Sequence, residues 1–307
     1  MTTSSRQAHL LLIFGVVAAF GSSASISTQP ADSDCTGTLD GSRFPFLVPE
    51  YVTWEVLFRS SQNRDIGGAS DVARELQLSD DADRGLKSEG GAALTRASAV
   101  RQTGAAPQGA SVESIAADAI LESRDDLLRR IAALDRDKVL ERIEMLRHKT
   151  LYTFAKRGRR TSAGSAEITC LISINGREHP ELIPEAYYWE FHLRALAAVS
   201  SHHRTGPTTF DVDYFSTLRK DLLQIPAADV VALLNHAVAT IELIDQVRNS
   251  PLTSGQTGEQ REAAAARVSA VSRLDLMSRL SKPSWMAIDR HARSRRGGIT
   301  YDFPTGF

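Results

Sequence analysis

Four glutamates stand in two matched pairs along the chain, Glu50 with Glu185 and Glu55 with Glu190, each pair 135 residues apart. Two carboxylates held close together can share acid and base roles in a hydrolase, or bridge a di-metal centre between two related units. The same residues also suit plainer work, and that is the favoured reading. Glu50 and Glu185 directly follow Pro49 and Pro184 at the starts of helical patterns, where a carboxylate meets the positive end of the helix dipole. Glu55 and Glu190 lie further along the same patterns, in reach of a neighbouring loop or arginine. The Glu-x-x-His pairs of helical di-metal sites are missing.

Histidines crowd the second half, at 179, 192, 202, 203 and 236, but none falls in a His-Glu-x-x-His pattern or in a Cys/His set with zinc spacing. No metal or other cofactor is expected. Gly-x-Ser-x-Gly, phosphate-loop and dinucleotide motifs are absent as well. Trp54 and Trp189 share the 135-residue separation. Exposed, they would stack on a sugar or aromatic ligand; the favoured reading places them in the core, where each buries a large apolar area. The basic runs at 156–160 and 293–296 read as a solvated linker and a solvated tail.

These residues sit in a sentence said twice. "FPFLVPEYVTWEVLFRS" at 44–60 is answered by "HPELIPEAYYWEFHLRA" at 179–195. Cys35 and Cys170 keep the same separation, and "SRDDLLRRI" at 123–131 matches "SRLDLMSRL" at 272–280 with a separation of 149. Two tandem related units follow as the expectation, 35–165 and 166–307, the second with a C-terminal tail. A disulfide between Cys35 and Cys170, near a pseudo-twofold axis, would join them.

Ahead of the units, Arg6 and the apolar run 10–20 read as a signal peptide ending near Ala24, with 25–34 as a flexible lead-in. Export to a secreted or periplasmic location would let the disulfide persist. No later stretch is expected to span a membrane. A formal charge of −1 gives no pull toward nucleic acid.

The expected fold is all-α, with four to five helices in each unit. Helices are predicted over 112–134 and 135–156, and the helix carrying Val230, Leu234, Ala237, Ile241 and Ile244 should be largely buried. Its counterpart over 80–101 holds Gly85, Gly90 and Gly91, which predicts a looser first unit. One extended run, 168–174, should cross between units. The function these features favour is a non-enzymatic binding or scaffold protein whose partner is another protein or a small ligand. A hydrolase or metal-dependent enzyme using the interfacial carboxylates is the alternative.

Overall fold

The structure, a computed structural model, describes residues 34–42, 45–62, 72–107, 110–157, 173–200, 217–218, 220–222, 224–249 and 255–302. The expected signal peptide, Cys170, and the histidines at 202 and 203 lie outside the described residues. The chain is all-α. Its helices include α1 (Glu50–Gln62), α2 (Val72–Glu75), α3 (Asp80–Thr103), α4 (Val112–Arg130), α5 (Ala133–Lys149), α6 (Glu185–Val199), α7 (Ala227–Asn249), α8 (Gly258–Arg279) and α9 (Lys282–Ser294).

Local chemistry sets most of these boundaries. Ser79 caps α3 by accepting from the Ala82 N–H, three aspartates fill the first turn, and Gly104 ends the helix at φ 62°. Thr257 and Gln260 close a reciprocal capping box on α8. The predicted helix 112–134 breaks at Ile131, whose extended backbone separates α4 from α5. The next predicted helix ends at Lys149, not Lys156. Residues 151–157 instead form strand β2, which pairs antiparallel with β1 (Asp34–Asp40) and sets Cys35 opposite Lys156. Tyr152, Thr153 and Phe154 favour a pleated strand, and the extended partner decides the outcome.

A second ribbon pairs β3 (Ser173–Asn175) with β4 (Thr300–Asp302). The part of the expected 168–174 run that is described therefore pairs within the C-terminal half; it does not cross to the other half. Both ribbons lead into a glycine under the same constraint. The Gly41 N–H donates to the Thr150 carbonyl at 2.9 Å and the Gly176 N–H to the Ile299 carbonyl at 2.8 Å. A Cβ on Gly41 would stand 1.9 Å from the Arg147 carbonyl oxygen, and one on Gly176 1.7 Å from that of Arg296. Only hydrogen fits.

After each glycine a 3-10 turn, Pro45–Leu47 or Pro180–Leu182, feeds the helix that carries the buried tryptophan. The first turn packs on α8 and the second on α4, while α4 and α8 touch each other. These contacts join the halves.

Two packing expectations change. Two of the α3 glycines are packing positions: Gly85 and Gly90 are buried, and a Cβ would meet Leu127 at 3.3 Å and the Phe58 ring at 3.0 Å respectively. A small residue lets the helices approach. Helix α7 is not largely buried. Leu233, Ala237, Thr240, Ile241 and Ile244 form a buried stripe, packed on α6 and α8, while Val231 and Leu243 stay 58% and 48% exposed. By length and composition α7 is also apolar enough to cross a membrane, contrary to the expectation that nothing after the leader is.

Candidate functional site

The first matched pair of glutamates does come together, through an arginine. Arg124 on α4 donates from both Nη atoms to Glu185, at 2.8 and 2.9 Å, and its Nη1 lies 3.9 Å from Glu50. Glu50 also pairs with Arg147 and accepts from the Trp54 indole at 3.0 Å. Glu185 has Arg273 at ion-pair distance, 3.0 Å, and accepts from the Tyr188 hydroxyl at 3.1 Å. Neither carboxylate is unoccupied.

Arg273 extends this network. Its Nη2 donates to Asp125 and to Asp289, each at 2.7 Å, and its guanidinium lies 4.7 Å from the centre of the Trp285 ring. Trp285 itself donates to Asp125 at 3.1 Å. Arg293 pairs with Asp289 and Arg296 with Asp118, the latter at 2.6 Å. The run 293–296 is thus no solvated tail: Arg293 and Arg296 are 7% and 4% exposed, because carboxylates on α4 and α9 neutralise them. The other run is described only at 156 and 157, within β2.

Sequence reasoning missed Arg124 and Arg273, although both stand in the matched segments at 123–131 and 272–280. Their partners lie on other helices and leave no local pattern.

Burial alone would raise the Glu185 pKa, but the charges of Arg124 and Arg273 overcome it and hold the group at about 2. Burial likewise pushes Asp125 up, and Arg124, Arg273 and Arg293 more than offset it, leaving it well below the usual carboxylate range. A depressed carboxylate contributes stability that is present above its unfolded pKa and lost as pH falls through the folded one. Stability should therefore drop between pH 4.5 and about 2, the unfolded and folded values of Glu185, by about 3 kcal/mol from that group alone. Urea midpoints across that range test it, and a flat profile would contradict the network.

The second matched pair does not converge with the first. Glu55 receives Arg101 at 2.8 and 2.9 Å and also Arg59, and Arg101 continues to Glu113. Glu190 receives Arg248 and Arg194, and Arg248 continues to Glu262 at 2.8 Å. The two clusters have the same make-up, one in each half. Trp54 and Trp189 are both 0% exposed, so neither ring offers a face to a ligand.

His179 lies 3.3 Å from Glu181, His192 is buried beside Trp189 and His291, and His236 meets Ser272 at 2.8 Å. Burial lowers the His192 pKa. Among the described residues no group of His, Cys, Asp or Glu is arranged to hold a metal ion.

A further feature is a groove of about 490 Å³ between α4 and α9. The helices run antiparallel along it: Lys282 meets Asp126 at 2.6 Å near one end, and Arg296 meets Asp118 near the other. Family models, curated proteins and solved structures give no match to this chain. What the groove does must be read from its own chemistry.

Seven lining side chains are basic and five acidic. Asp118, Asp125, Asp126 and Asp289 are held by arginine or lysine. Arg96, Arg129, Arg177 and Arg290 have no carboxylate bonded to them among the described residues, Arg96 donating to the Ala119 carbonyl and the Ser123 hydroxyl, and Glu122 is the lone acid without a bonded cation. Nothing in the sequence marked these positions.

Proposed function

We propose that the protein is an exported, non-enzymatic helical binding protein, built from two related units about a pseudo-twofold axis, with its ligand seat in the α4/α9 groove. The observation that carries this is the state of the charges. All four candidate carboxylates are engaged by arginines, whereas the groove holds guanidinium groups without carboxylate partners.

The paired-unit reading is supported by equivalent contacts: Gly41 against Arg147 and Gly176 against Arg296, and the two Glu–Arg–Glu clusters. It also sharpens the groove. At the 149-residue separation, Arg129, Trp285 and Arg290 correspond to Ser278, Arg136 and Glu141. The groove's chemistry therefore belongs to one side alone, as expected when one of two related surfaces takes on binding.

The hydrolase alternative retains one supporting fact, the approach of Glu50 and Glu185 to Arg124. To act as a base, either would first have to leave its guanidinium partners. The test is thermal shift against a panel of small anionic, neutral and cationic metabolites, on the protein and on Glu122→Trp, which fills the groove at an exposed position. Saturable stabilisation that Glu122→Trp abolishes is the expected result. Turnover of any panel member that a folded Glu185→Gln variant loses would favour the enzyme, and no shift from any compound would remove the small-ligand seat.

A further inference from the structure

We infer that the α4/α9 groove seats an oxyanion, a phosphate or carboxylate group, gripped by Arg129 with Arg177 and Arg290 beside it. This rests on the groove being the ligand seat and adds the chemical class of what enters.

Arg129 is the informative residue. Its Nε and Nη2 are closed off from water and have no hydrogen-bond partner. Its Nη1 makes one long contact, 3.4 Å, to the Leu280 carbonyl. Nε and Nη2 lie on the same edge of a guanidinium, and that edge matches the two oxygens of a carboxylate or phosphate. Leaving charged donors buried and unmade is unfavourable. An entering oxyanion would recover that cost.

Asp125, Asp126 and Asp289 act on Arg129 through space, but none is bonded to it. Its guanidinium lies 5.8 Å from the centre of the Trp285 ring, whose other close cation is Arg273. The nearby carboxylates are already committed: Asp125 and Asp289 to Arg273, and Asp126 to Lys282. Arg177, on the turn after β3, and Arg290, on α9, are both exposed and line the same groove. Among the described lining residues, only Glu122 opposes them without a bonded cation of its own. A rotation of the terminal Arg129 bonds turns the unmade edge toward an anion in the groove. The α9 side chain of Met286, which also lines it and is 43% exposed, suits an apolar body attached to that anion.

Isothermal titration calorimetry with inorganic phosphate and, separately, citrate, at matched ionic strength, tests the inference. Saturable binding at one site is expected for at least one probe. Arg129→Gln should weaken it roughly tenfold or more, the worth of hydrogen bonds to a charged group. Arg129→Lys, which keeps the charge and most of the packing but loses the two-pronged edge, should also weaken it and serves if the glutamine variant fails to fold. Arg84→Gln, in an exposed pair on α3, should leave it unchanged.

Phosphate binding without citrate assigns a phosphate, the reverse assigns a carboxylate, and either supports the seat. Absence of saturable binding by both probes, or binding indifferent to both Arg129 variants, overturns it. If a neutral or cationic metabolite still binds the protein and is lost in Glu122→Trp, the binding reading stands and the oxyanion assignment alone falls.

Discussion

Arg273→Ala should destabilise the protein by about 3–5 kcal/mol, the range found when one partner of a buried ion pair is removed. Arg273 is 2% exposed and joins three carboxylates from three helices: Asp125 on α4, Glu185 on α6 and Asp289 on α9. Its guanidinium also stacks near Trp285. Without it, four arginines remain among these groups, but each is already engaged. Arg124 serves Glu185 and Asp125, Arg293 serves Asp289, Arg296 serves Asp118, and Arg147 serves Glu50. The three acids would stay buried with too little positive charge. Arg84→Ala is the contrast, because its pair with Asp81 is 71% and 90% exposed and surface pairs contribute about 1 kcal/mol or less. Urea unfolding of both variants decides the matter, and an Arg273→Ala loss no larger than that of Arg84→Ala would refute the account of the interface.

Gly176→Ala should be as damaging, with a loss of about 3 kcal/mol or more, since overpacking against backbone leaves no flexible side chain to yield. The added carbon would sit 1.7 Å from the Arg296 carbonyl oxygen and 2.7 Å from that of Ile299. Relief requires the ribbon to part, which breaks the Gly176 N–H bond to Ile299 and shifts Arg296 away from Asp118. Damage at one methyl thus reaches the interface and the groove. Gly41→Ala should reproduce the effect in the first half, where the blocked carbonyl belongs to Arg147, the partner of Glu50. Gly258→Ala meets nothing within 4 Å and should change stability by less than about 1 kcal/mol. Thermal unfolding of the three variants gives the comparison. Gly176→Ala melting with Gly258→Ala would show that the close approach is not a constraint on the fold.

The all-α class, the helix starts at Glu50 and Glu185 and the buried tryptophans are legible in the sequence, because each depends on residues a few positions apart. A proline before a helix and an apolar residue every three or four act through the backbone next to them. The recurrence of glutamate, tryptophan and cysteine at 135 residues is legible because it needs only a comparison of the chain with itself.

Longer-range outcomes needed the tertiary structure. Residues 151–156 read as a helix until β1, more than a hundred positions earlier, offers an extended partner. The run 293–296 reads as a tail until Asp118 comes within reach. Arg124 meets Glu185 across 61 residues and Arg273 meets Asp125 across 148. Charge acts through space in a low-dielectric interior, so which carboxylate an arginine finds, and which arginine beside the groove finds none, depends on where helices cross.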